Sequence, residues 1–227
     1  MFSPALLTHG VARRLAEVRT APDPAAALLA LTREAHALWE WAVRSFEATH
    51  PLPEPVACRP GCSFCCYNQV ELTPPEAFLL ADFLSQRVAP ARLPGLAAAL
   101  KEELNRRRGL SPSELARRRR EFPCPFLSQD HCGIYPVRPF MCRAMHSLDA
   151  DHCRRSLEAD TLLPDRYYDH RHDFARALSR GLIEGAQGLC CQAGPLELIA
   201  ALTLILGDPQ ALPRWLKGER VFRKGKG

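Results

Sequence analysis

Apolar positions recur at helical spacing along most of the chain. Leu6, Leu7, Val11, Leu15 and Val18 predict a helix within residues 4–20. Asp23-Pro24 supplies an N-cap followed by proline at the first helical position. From there Leu28, Leu31, Ala35, Leu38, Trp39, Ala42 and Phe46 form one apolar stripe to about Thr49; such a stripe is core packing. His50-Pro-Leu-Pro-Glu-Pro reads as a stiff extended connector. A short extended segment is expected over residues 69–73. Thr73-Pro-Pro-Glu76 then signals a capping box opening a helix that ends near Pro90. Another helix is expected over residues 93–107, and Ser111-Pro-Ser-Glu114 repeats the capping signal before Pro123 stops the run. Helical spacing returns beyond Asp149, is punctuated by Pro164 and resumes over residues 165–185. Gly194-Pro195 opens a helix ending at Gly207, Asp208-Pro209 starts a last short one, and residues 223–227 read as a fraying tail.

Strands do not alternate with helices and no segment repeats. The expected fold is mostly α, with helices clasping an irregular cysteine-rich metal-binding core. Residues 1–52 and 158–227 form helical extensions of a core at 53–157, together one compact unit. The length of 227 residues and a 47% hydrophobic fraction exclude a disordered chain. The longest strongly apolar stretch, residues 196–206, contains Glu197 and is too short to span a bilayer. Residues 1–19 lack the basic start, apolar centre and cleavage site of a signal peptide, so a cytoplasmic protein is expected, with no membrane partner.

The formal charge of +5 is carried mainly by arginine, in the runs 106–108 and 117–120. Consecutive arginines point in all directions around a helix, and no aromatic residues are interleaved with them. Both facts weigh against a nucleic-acid surface.

The ten cysteines change the picture. Cys58, Cys62, Cys65 and Cys66 fall within nine residues, and Cys124, Cys132, Cys142 and Cys153 follow at wide intervals. A core gains nothing by crowding small thiols at a turn. Without an export signal, metal ligation is favoured over a disulfide frame. Adjacent Cys65 and Cys66 would also strain any bond between them. Thiolates converging from two loops suit Zn²⁺ or an iron–sulfur cluster. Pro60 and Gly61 shape a tight turn whose amides can bond to sulfur, while Arg59, Arg138 and Arg143 can offset thiolate charge. Cys190 and Cys191 read as small apolar packing residues.

The runs Gly-Cys62-Ser-Phe-Cys65-Cys66, Leu-Thr-Pro-Pro-Glu76, Cys124-Pro-Phe-Leu and Cys132-Gly-Ile-Tyr-Pro-Val-Arg-Pro-Phe-Met-Cys142-Arg143 together resemble the CxxCxxCC (YkgJ-like) family of zinc- or iron-chelating proteins. The resemblance covers residues 58–153. It implies a chelating cysteine cluster, often of the iron–sulfur kind, in which Cys58, Cys62, Cys65, Cys66, Cys124, Cys132 and Cys142 match family cysteines. One branch is similar to flagellin lysine methylases. Three residues separate Cys58 from Cys62 where the family has two. That spacing also fits the radical S-adenosylmethionine signature, but no β/α repeat accompanies it, and a fourth adjacent cysteine has no place there.

Other constellations carry less. His131, His146 and His152 flank the cysteines and suit surface or supporting roles over ligation. Gly181, Gly185 and Gly188 follow no strand and form no dinucleotide fingerprint. Arg138-Pro139 is expected to brace the metal loop. Asp169, His170, His172 and Asp173 read as a solvated helix face. The function expected is metal chelation by Cys58, Cys62, Cys65, Cys66, Cys124, Cys132, Cys142 and Cys153. Their wide spacing suits an iron–sulfur cluster over a single zinc ion. An iron–sulfur enzyme, redox or protein-methylase-like, is the alternative, and either would act with a protein partner or substrate.

Overall fold

The computed structural model describes residues 3–161 and 166–222. The expected break at Pro164, the helix start at residue 165 and the tail at 223–227 lie outside these residues. Ten α-helices carry the described chain: α1 (Pro4–Ala16), α2 (Pro24–Thr49), α3 (Pro74–Arg87), α4 (Leu93–Arg106), α5 (Pro112–Arg117), α6 (Phe140–Ala144), α7 (Ala150–Glu158), α8 (Asp169–Gly188), α9 (Leu198–Leu206) and α10 (Ala211–Leu216). Four two-residue strands punctuate them: β1 (Glu71–Leu72), β2 (Leu127–Ser128), β3 (His131–Cys132) and β4 (Leu196–Glu197). The fold is mostly α, as the periodicity predicts.

The helix starts follow from the sequence. Asp23 accepts from the Ala26 N–H at 3.0 Å, and both expected capping boxes form, at Thr73/Glu76 and Ser111/Glu114. Each such cap is worth about 1 kcal/mol to its helix. Asp149 caps α7 through the His152 N–H at 2.9 Å.

One apolar cluster runs from Leu7 to Phe222 and takes in faces of α1, α2, α3, α8, α9 and α10. Its tightest seam joins α1 to α8. A Cβ on Gly181 would meet the Thr8 carbonyl at 2.7 Å, and one on Gly185 would meet the Leu15 Cβ at the same distance. These two glycines therefore let the backbones approach, and the Thr8 hydroxyl donates to the Ala177 carbonyl at 2.9 Å across the seam.

The C-terminal region departs from expectation. The helix expected from Gly194-Pro195 begins only at Leu198, because residues 196–197 extend into β4. That strand pairs antiparallel with β1, Leu72 opposite Leu196, and the Leu198 N–H donates to the Val70 carbonyl at 3.1 Å. The Glu197 carboxylate then caps α9 through the Ala200 N–H at 2.8 Å. This pairing ties the segment after the first cysteine run to the C-terminal helices.

Many arginines of the two basic runs are engaged within the chain. Arg106 and Arg107 both pair with Glu103, Arg118 pairs with Glu121 and Arg120 with Asp160. Among the described residues, no helix is long and apolar enough to cross a membrane.

Candidate metal centre

The first cysteine run is built on a turn. The Cys62 N–H donates to the Arg59 carbonyl at 2.9 Å, with Pro60 and Gly61 at its centre and Gly61 at φ +88°. Proline then left-handed glycine is the pattern of a type II turn. A 3-10 turn, Phe64–Tyr67, follows and carries Cys65 and Cys66.

The second run is a hairpin. β2 and β3 pair with Leu127 opposite Cys132, joined by Gln129 and Asp130 at φ 48° and 59°. Two successive positive φ values define the type I′ connection that matches strand twist. This brings Cys132 back toward Cys124. Two bonds lock the runs together: the Cys124 N–H donates to the Cys66 carbonyl at 2.7 Å, and the Ser63 hydroxyl donates to Asp130 at 2.6 Å. Cys142 follows on α6. At the other end, the Ala57 N–H reaches the Ser147 carbonyl at 2.9 Å, and the Ser147 N–H donates to the Cys58 sulfur at 3.3 Å.

Seven of the eight sulfurs expected as ligands are thereby gathered into one electrostatic group. Cys65, Cys124 and Cys132 act on Cys142, Cys65 and Cys132 act on Cys124, Cys65 acts on Cys132, Cys62 and Cys65 act on Cys58, and Cys66 hydrogen-bonds Cys65. Cys153 is placed on α7, where it faces the Arg119 guanidinium. Arg119 itself is buried and joins Asn68, Ser156 and the Thr161 carbonyl at 2.9–3.1 Å. Among the described residues, no three His, Cys, Asp or Glu side chains meet as one ready ligand group. The sulfurs are neighbours rather than a closed coordination shell.

All ten cysteines are thiols without a disulfide. Burial raises the Cys58, Cys132 and Cys142 thiols above their ordinary value, and pushes Cys124 up to about 11. Cys65 is exposed as a residue, yet its thiol is raised, first by its hydrogen bond to Cys66 and then by burial. Neighbouring thiols add to each of these shifts, because a second negative charge nearby disfavours the first. Backbone amides oppose it: Ser147 at Cys58, Phe126 at Cys124 and Ile134 at Cys132. These amides lie outside the Pro60–Gly61 turn from which such bonds are expected. The donor set fits a thiophilic cation, which displaces such protons and cancels the repulsion that holds them on.

The three arginines expected near the thiols divide. Arg138 acts on Cys65, Cys132 and Cys142, and its guanidinium lies 4.0 Å from the Tyr135 ring centroid. Arg143 turns toward Glu40 at 2.7 Å, and Arg59 is exposed. Arg107, read from sequence only as part of a basic run, acts on Cys124. Ser147 was also missed, since nothing in its sequence neighbourhood marks an amide that reaches Cys58.

Two of the flanking histidines, His131 and His146, are engaged by backbone carbonyls. His146 sits with Nδ1 at 2.6 Å from the Ala144 carbonyl and accepts from the Tyr168 N–H at Nε2, 2.8 Å. Both ring nitrogens are thus occupied and the ring is neutral. His131 Nδ1 lies 2.6 Å from the Gln129 carbonyl. The expectation of a solvated face at residues 169–173 holds for its aspartates and fails for its histidines. His172 is buried, and His170 meets Glu47 at 2.9 Å. The Cys190–Cys191 expectation also divides, because α8 ends before it. Cys191 is buried, whereas Cys190 is exposed at φ 55°.

No curated protein and no solved structure matches the chain. Residues 57–160 match the family model described as "CxxCxxCC: Putative zinc- or iron-chelating domain". That span encloses both cysteine runs, the hairpin, α6 and α7, and over it the chain is similar to the CxxCxxCC domain.

Proposed function

We propose that the protein holds an iron–sulfur cluster on Cys65, Cys124, Cys132 and Cys142, with Cys58, Cys62 and Cys66 completing the sulfur-rich wall. The observation that carries this reading is the electrostatic action among those four thiols, drawn from three separate segments. Seven neighbouring sulfurs exceed the four ligands of a closed zinc site. Sulfur donors from separate segments suit a larger group. When bound, the cluster would supply electron-transfer or Lewis-acid chemistry. The chain's own part is to present deprotonated sulfur, direct the Ser147, Phe126 and Ile134 amides at it, and balance charge through Arg138.

The test is purification without oxygen followed by iron, zinc and acid-labile sulfide analysis. A brown protein with iron and sulfide in stoichiometric amounts is the expected result. A colourless protein holding one equivalent of zinc without sulfide would overturn the cluster and leave a zinc-chelating domain.

A further inference from the structure

The sulfurs are not held by their own loops alone. Glu76 is 1% exposed, and its carboxylate holds two helix starts at once. Oε2 accepts from the Thr73 N–H and hydroxyl, both at 2.8 Å, which closes the capping box of α3. Oε1 accepts at 2.7 Å from the N–H of Phe140, the first residue of the helix that carries Cys142. The same oxygen lies 3.6 Å from His36 Nε2, and the His36 ring meets the Phe140 ring edge-on at 4.8 Å.

His36 belongs to α2, outside residues 57–160. Its Nδ1 lies 3.4 Å from Arg143 Nη2. A guanidinium only donates, so Nδ1 accepts, and the ring proton sits on Nε2, aimed at Glu76. Burial holds His36 below its ordinary value, hence neutral. Burial alone would raise Glu76, but the neighbouring His36 ring at 3.6 Å and the bonds from Thr73 and Phe140 outweigh that and keep it ionised. Arg143 in turn donates to Glu40 of α2 at 2.7 Å and to the Pro136 and Arg138 carbonyls at 2.6 and 2.9 Å. One network, buried at His36, Glu76 and Arg143, thus runs from α2 through α3 to both ends of the Pro136–Arg143 stretch.

We propose that Glu76 is a positioning residue of the metal centre, fixing the helix that bears Cys142, with His36 and Glu40 of α2 as its outer support. The matched family domain therefore takes part of its metal-site geometry from a helix beyond its boundary. A carboxylate is required because both oxygens accept. A glutamine has one acceptor oxygen, and its NH₂ would face the N–H of either Phe140 or Thr73, leaving buried donors unpartnered.

This proposal rests on the metal-centre reading, and the experiment separates the two. Cobalt(II) is titrated into full-length protein, reading its sulfur-to-metal absorption, and Phe140 amide exchange is measured on metal-free protein. In E76Q, cobalt affinity should fall roughly 10- to 100-fold at unchanged stoichiometry. The absorption should shift, and the Phe140 amide should exchange at least about tenfold faster. L202A, which removes a buried side chain of α9, serves as the control for lost stability and should keep wild-type affinity and spectrum. E40Q changes only the half-exposed partner of Arg143 and should weaken cobalt about two- to fivefold. It carries the test if E76Q does not fold, and wild-type affinity in E40Q would then overturn the proposal. Wild-type affinity and spectrum in E76Q would overturn it directly. So would an equal loss in L202A, which would reduce Glu76 to general stability. A wild-type protein that takes up neither cobalt nor iron would overturn the metal-centre reading, and this proposal with it.

Discussion

Cys65 lies in the first cysteine run and Cys132 in the hairpin, so a metal bound by both would join segments far apart in sequence. Replacing either with serine should release metal and lower thermal stability together. A 100-fold loss of affinity removes about 2.7 kcal/mol of linked stability at saturation, which for a chain this long lowers Tm by roughly 5–10 °C. Retained metal in both variants would count against the site. Joint replacement of Cys190 and Cys191 by alanine should leave metal content unchanged and cost about 1 kcal/mol, since only Cys191 is buried. Because the Cys65, Cys124 and Cys142 thiols are raised, they are protonated at neutral pH. Each one that becomes a ligand must give up a proton. Metal affinity should therefore climb with pH between about 6 and 8, roughly tenfold per unit for each proton displaced. A pH-independent affinity, read by competition with a chelator, would remove these thiols from the ligand set. The sulfurs and Gly61 are legible in the sequence, because turn chemistry and thiol spacing are local. Arg107 and Ser147 are not, because only the folded chain brings them to Cys124 and Cys58.

At the scale of elements, helix starts are the most legible feature. Asp23, Thr73 and Ser111 each announce a helix by a side chain that reaches only three residues forward. β4 escapes detection because two residues show no period, and its partner β1 lies more than a hundred positions earlier. The glycines of α8 are visible in the sequence, but their purpose appears only once α1 lies against them. Gly185→Ala places a methyl group 2.7 Å from the Leu15 Cβ and 2.9 Å from the Ala12 carbonyl. It should cost about 2 kcal/mol through overpacking. Gly188→Ala meets nothing within 4 Å and should be neutral or slightly stabilising. Urea unfolding of the two variants checks this contrast, and equal stabilities would refute the close seam.

For the whole molecule, three buried histidines set the acid limit of stability. Burial lowers His36, His146 and His172 below their ordinary value of 6.5, so each accepts a proton more readily in the unfolded chain. Their contribution is complete above pH 6.5 and declines as pH falls through the depressed folded values. Glu76 and Glu47 are held below 4.5 by their partners, and they add a second decline at lower pH. Unfolding free energy measured from pH 7.5 downward should fall in these two stages, and His172→Gln should flatten the first. An unchanged stability down to pH 5 would contradict the neutral, buried rings. The seam between α1 and α8 also bears on how the chain is made. Thr8 and its partner Ala177 are 169 residues apart. At ribosomal speed, α1 emerges about 10–30 s before α8 exists to receive it. Through that interval Leu7, Val11 and Leu15 have no α8 to cover them, so newborn chains of this protein should depend on a holding chaperone until synthesis passes α8.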